Sequence, residues 1–147
     1  MPSIFVLFAF VLLVVGSYGY TNQPVQEPPW TKVIPGFAFS PYQAGQSPLD
    51  NIEPTVSDIT RDLALLKGKT RAVRTYTVAG VFGDIPRLAQ QHNINVALGA
   101  WLSADPEANT QELARLVEVA HSPPHNIVRM IVGNETILRK DLNTQQM

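Results

Sequence analysis

The sequence predicts an α/β fold organised on a parallel sheet, and three observations lead there. Four apolar or β-branched runs recur at intervals of about twenty to thirty-six residues. Each run is followed by a stretch with helical periodicity, the signature of right-handed βα units. The last run, "NIVRMIVGN", is apolar nearly throughout apart from Arg129, as strands covered on both faces of a parallel sheet tend to be. No self-similarity suggests a solenoid.

Ahead of the fold, "IFVLFAFVLLVV" (Ile4 to Val15) is uninterruptedly apolar, and the first charged side chain after it is Glu27. Its length suits the core of a signal peptide, with the small residues Ser17 and Gly19 at cleavage-like spacing, although no Lys or Arg precedes it. Counted through to Tyr20, the run reaches roughly the lower limit for a tilted membrane helix, with Tyr18 and Tyr20 at the interface. Residues 1–20 are therefore expected to be a signal peptide or a membrane anchor, and both readings stay open. A buried core helix is not expected, because no amphipathic period is visible. Residues 21–32 carry "TNQPVQEPPW" and form a Pro-rich linker; the folded domain is expected over 33–147.

"GFAFSPY" (36–42) places Phe37 and Phe39 at period two and closes on Pro41, which predicts the first strand. Val56, Ile59, Leu63 and Leu66 then mark one face of a helix, with Thr55 as cap and Gly68 past its end. "AVRTYTV" (72–78) is the second strand, and 84–93 a short helix with Asp84 near its cap and Pro86 in its first turn. "INVALGAWL" (94–102) is the third strand. A helix over 109–120 follows, with an Asn109-x-x-Glu112 capping box and a core stripe of Leu113, Leu116, Val117 and Ala120; Pro123-Pro124 stops it. After the fourth strand, "ETILRKDLNTQQM" reads as a loop and the start of a fourth helix.

Lys and Arg number 11 against 12 Asp and Glu, a formal charge of -1 with no basic block, so a nucleic-acid partner is not expected. No cysteine is present, which excludes disulfides, thiolate metal sites and thiol nucleophiles. His121 and His125 have ligand spacing, but Pro123 and Pro124 lie between them and prevent a shared helix face; no metal site is expected. Gly80-x-x-Gly83 is too short for a phosphate loop, no nucleophile elbow is present, and no cofactor is expected.

In a parallel sheet the chemistry collects at the carboxyl ends of the strands. Those ends carry Tyr42, then Arg74 and Tyr76, then Trp101 with Asp105 beyond it, then Asn134 and Glu135. Arg74 and Tyr76, two apart, share a face. Arg74 is either half of an ion pair tying the sheet together or a substrate contact, and one pair can serve both ends. Tyr42 and Trp101 are either packing residues or flat platforms for sugar rings. Asp105 reads as a helix-start residue before "PEAN". Glu135 fits neither a solvated helix face nor a cap. In a partly apolar pocket its pKa would rise and it could protonate a leaving oxygen; the alternative is a structural pair with Arg74. Asn134-Glu135-Thr136 also matches a glycosylation sequon, but at a strand end where a transferase would not reach.

"GFAFSPYQ", "VRTYTV", "IPRLA", "VALGAWLSADPEAN" and "IVGNETILR", in this order and spacing, resemble the first half of glycoside hydrolase family 17, the β-1,3-glucanase family, in its bacterial form. The resemblance covers about Val33 to Leu142. It implies a parallel (β/α)8 TIM barrel of which about the first four βα units are present, and a retaining mechanism. It further implies that Glu135 is the general acid/base, that Asn134 contacts the sugar 2-hydroxyl, and that Tyr42, Arg74, Tyr76 and Trp101 line the substrate cleft. A retaining mechanism needs a second carboxyl group about 5–5.5 Å away. The family takes it from its seventh strand, and no residue here matches it. The expectation is thus a fragment of an exported β-1,3-glucan hydrolase or transglycosylase, secreted, periplasmic or anchored at the membrane through residues 4–20, with a β-glucan as partner. The alternative is a non-enzymatic glucan-binding or half-barrel assembly module at the cell surface.

Overall fold

The computed structural model describes residues 4–24 and 32–147. Its contacts divide the chain into two units, residues 1–31 and 32–147. In the first, helix α1 (Ile4–Thr21) carries no buried residue and no charge. It is long and apolar enough to cross a membrane by length and composition. Near its end the hydroxyls of Ser17 and Thr21 donate to the carbonyls of Val14 and Ser17, so polar side chains there cost the helix little. Most of the expected linker, residues 25–31, lies outside the described residues.

The second unit alternates strands and helices: β1 (Phe37–Ala38), α2 (Val56–Leu66), β2 (Ala72–Arg74), a 3₁₀ turn (Gly80–Asp84) leading into α3 (Ile85–Gln90), β3 (Asn95–Ala100), α4 (Pro106–His121) and β4 (Ile127–Val132). The sheet runs β1-β2-β3-β4 with every pair parallel, the α/β arrangement the sequence predicts. Val73, Val96 and Leu98 on one sheet face meet Ile59 and Leu63 of α2, Ile85 and Leu88 of α3, and Leu116 and Val119 of α4. Each such side chain contributes roughly 1.5–3 kcal/mol of burial.

Helix α2 begins as expected. Thr55 accepts from the Asp58 N–H at 3.2 Å, and Asp58 in return accepts from the Thr55 N–H at 3.0 Å, a reciprocal capping box. The Thr55 backbone and hydroxyl bonds hold the Asp58 carboxyl down to about 2 from its ordinary 3.8. Ile59 and Leu63 are fully buried one turn apart, whereas Val56, at the first turn, stays exposed.

Both early strands are shorter than expected. Beyond Ala38 the Phe39 N–H still reaches the Arg74 carbonyl, but Pro41 has no N–H to continue the ladder. In β2 the chain turns out of register at Thr75, whose hydroxyl, in place of a carbonyl, accepts from the Gly99 N–H at 3.0 Å. Gly99 permits that crossing: a Cβ there would stand 2.8 Å from the Thr75 carbonyl carbon and 2.9 Å from the Tyr76 Cα.

Four expectations at the end of the chain are overturned. The Asn109/Glu112 capping box does not form; α4 starts three residues earlier, where Asp105 caps it by accepting from the Glu107 and Ala108 N–H groups. That leaves Glu112 free to replace Leu113 on the buried face, which is Glu112, Leu116 and Val119, so Leu113 and Val117 are exposed. Strand β4 is not covered on both faces: Met130 and Val132, paired with the buried Leu98 and Ala100, are about half exposed at 56% and 48%, and among the described residues β3 is its one paired neighbour. Among the described residues no helix follows β4; turns occupy that stretch.

Candidate active site

At the carboxyl ends of the strands, loops converge on a cleft of about 910 Å3. Tyr42 enters from the loop after β1, Tyr76 and Phe82 from the segment after β2, Trp101 from the end of β3, and Glu112 from α4. The Tyr42 and Phe82 rings pack with centroids 5.6 Å apart. Burial, and then the Glu53 carboxylate, push the Tyr42 phenol above its ordinary 10, so it remains a neutral donor across the physiological range. Flat aromatic faces bordered by carboxylates and hydroxyls suit an oligosaccharide, whose rings present apolar faces and hydroxyl rims.

One oxygen holds the rear wall together. Glu112 Oε1 accepts from the Thr77 hydroxyl at 2.7 Å, the Val78 N–H at 2.9 Å and the Trp101 N–H at 3.0 Å. A carboxylate oxygen satisfying two otherwise orphaned backbone donors locks the segments after β2 and β3 to α4.

A second group forms beside the cleft. Arg74 donates from an η nitrogen to Asn134 Oδ1 at 2.8 Å and lies 4.8 Å over the Tyr76 ring. Arg74 Nε is buried without a partner. Gly133, at φ +78°, and Glu135, at φ +52°, turn the chain sharply after β4 and bury Thr136 beneath it. A positive φ at a non-glycine residue costs of order 1 kcal/mol and is kept where surroundings enforce it.

Arg139 provides that enforcement. It stacks 4.0 Å over the Trp101 ring, donates to the Leu102 carbonyl at 2.7 Å and to the Asn134 carbonyl, and is fixed by Asp141 through a 2.7 Å bond from Nε. The loops after β3 and β4 are thereby clamped.

The expected residues thus fall into two sets. Tyr42, Tyr76 and Trp101 line one cleft; Arg74 and Asn134 are bonded to each other, and Tyr76 joins the sets. Glu135 is exposed rather than set in an apolar pocket, because the left-handed turn directs it outward, and it forms no ion pair with Arg74, which is engaged by Asn134. Among the described residues no group of three or more potential ligands could hold a metal ion.

Residues 36–147 match the family model described as BtgE/BtgC glycoside hydrolase domain. A glucan endo-1,3-β-glucosidase of Emericella nidulans, btgC, is 28% identical over 115 residues, covering 74% of this chain and 18% of that protein. A putative glucan endo-1,3-β-glucosidase of Aspergillus niger is 27% identical over 115 residues, covering 74% of this chain and 17% of its own. The chain therefore spans less than a fifth of the length of these curated relatives, which are fungal. Among solved structures, an active-site mutant of Rhizomucor miehei β-1,3-glucanosyltransferase in complex with laminaritriose superposes with a TM-score of 0.60 at 25% identity, over 75% of this chain and 40% of that one. With the matched region covering the whole sheet, its three helices and the strand-end cleft, the chain belongs to the BtgE/BtgC glycoside hydrolase domain family.

Proposed function

We propose that residues 33–147 are the N-terminal part of a (β/α)8 catalytic domain of the family-17 type, acting on β-1,3-linked glucans by hydrolysis or transglycosylation, with Glu135 as general acid/base. Residues 1–20 serve as signal or membrane anchor and 21–32 as linker, in an exported protein. The observation that carries the reading is the Asn134-Glu135 pair directly after β4, with Asn134 held by Arg74 from two strands away. Because Arg74 engages Asn134 Oδ1, the amide is oriented so that its N–H group is the one offered to a sugar hydroxyl. Exposed Glu135 then protonates the leaving glycosidic oxygen, while the aromatic cleft holds further sugar rings. The nucleophilic carboxylate that retention requires comes, in this reading, from outside the matched region, which is 18% of the Emericella nidulans relative.

Titrating the chain with laminari-oligosaccharides while following tryptophan emission tests this. Quenching without turnover is expected, unchanged in Glu135→Gln; quenching by malto-oligosaccharides to the same degree would sink the β-1,3 assignment. Turnover by this chain, abolished in Glu135→Gln, would overturn the need for a second carboxylate from elsewhere. A second reading, a half-barrel assembly module, is favoured by the exposed Met130 and Val132 of β4. Sedimentation as a monomer would count against it.

A further inference from the structure

The opposite end of the sheet, where the strands begin, carries a cluster of exposed cations. Ile34 forms a parallel bridge with Thr70: its N–H donates to the Lys69 carbonyl at 2.8 Å, and its own carbonyl accepts from the Arg71 N–H at 3.0 Å. Lys32 lies two residues before this bridge, and Lys69 and Arg71 flank its other side. The Asn95 N–H donates to the Arg71 carbonyl at 2.9 Å and draws in the turn that carries His92. A cavity of about 420 Å3 opens among Lys67, Thr70, Arg71, His92, Asn93 and Asn95, and no carboxylate lines it among the described residues.

His92 Nε2 is buried there without a hydrogen-bond partner. Lys32, Lys67, Lys69 and Arg71 are all exposed, and none belongs to a salt bridge among the described residues. At the other end of the sheet the signs are mixed, with Glu53, Glu112 and Arg115 lining the cleft and Arg74 and Arg139 beside it.

We propose that this basic face is a contact surface for anionic lipid headgroups. Unpaired cations on an exposed face attract such a surface within a Debye length of about 8–10 Å. The chain supplies the bilayer contact: α1 is apolar and long enough to cross it, and the residues between Thr21 and Lys32 span at most about 33–36 Å when extended. The chain enters the folded unit at Lys32, two residues before the bridge to Thr70. The proposal rests on the anchor reading of residues 1–20.

The test uses the full chain with vesicles of phosphatidylcholine, alone or with about a third phosphatidylserine. Flotation with neutral vesicles reads α1 by itself; amide hydrogen exchange over residues 67–71 and 92–95 reads the basic face. Exchange there should slow about tenfold on anionic vesicles relative to neutral ones, recover in about 0.5 M salt, and not slow in Lys67→Glu/Lys69→Glu. Equal exchange on the two vesicle types would overturn the headgroup contact. So would protection by soluble polygalacturonate without protection by anionic vesicles. Failure to float on neutral vesicles would sink the anchor reading and the tether, leaving the exchange result to decide the contact separately.

Discussion

Replacing Glu112 by Ala is expected to destabilise the folded unit by about 3 kcal/mol, a large share of the roughly 5–15 kcal/mol such domains possess. The figure follows from what Oε1 holds. Val78 is fully buried, so its N–H, 2.9 Å from Oε1, has no water to turn to and costs about 1–3 kcal/mol when orphaned. The Trp101 N–H, 3.0 Å away and only partly buried, adds about 1 kcal/mol. The Thr77 hydroxyl can rotate and adds less, while relief from burying a charge offsets part of the sum. Glu112→Gln keeps the shape and an acceptor oxygen and loses only the charge assistance, so it should cost about 1 kcal/mol. Urea unfolding followed by far-ultraviolet circular dichroism and tryptophan emission measures both. If Gln proves as damaging as Ala, or Ala costs under about 0.5 kcal/mol, the three bonds do not hold the wall together and the argument fails.

Arg139→Ala removes the stack over Trp101, about 1 kcal/mol, together with the bonds to Leu102 and Asn134; red-shifted tryptophan emission and several-fold weaker laminari-oligosaccharide binding are expected, with Lys a poor substitute because it lacks the planar fork. Gly99→Ala should lower stability by more than about 3 kcal/mol in the same urea assay, since the added carbon meets backbone at Thr75 and Tyr76 that cannot give way. Acid unfolding reports on the α2 cap. The Asp58 carboxyl is depressed from 3.8 to about 2 in the folded state, so its stabilisation is complete above 3.8 and is lost as pH falls through about 2. Thr55→Ala should flatten the pH dependence of the circular-dichroism midpoint across that window; parallel curves for the two proteins would contradict the assignment.

The parallel sheet and the order of its elements were legible because each element carries a local signal. Ile59 and Leu63 repeat with helical period, and Val73, Val96 and Leu98 mark strands. Strand lengths were not, because they end on side-chain substitutions such as the Thr75 hydroxyl bonding Gly99, which no periodicity encodes. Asp105 was readable as the start of α4. Glu112 was visible only as a polar residue in capping position, yet its i, i+4, i+7 relation to Leu116 and Val119 was the available clue that a carboxylate sits on the buried face. Arg139 gave no local sign, since its stacking partner Trp101 comes from the end of another strand and its bond to the Asn134 carbonyl depends on the turn after β4. The outward turn of Glu135 lay beyond periodicity as well, because it depends on a positive φ at a residue that is not glycine.

The bare side of β4 also bears on how the protein stays dispersed while it folds. A parallel strand with one row of peptide groups unpaired, and with Met130 and Val132 exposed beside it, is a template on which another nascent chain can add. Arg129 is the countermeasure. It stands opposite Ala97 in the register, exposed on the face away from Leu98 and Met130, and any strand docking there would have to desolvate a guanidinium that forms no salt bridge among the described residues. The one charged residue that interrupts the most apolar run of the folded unit thus sets a charge where a misassembled strand would dock.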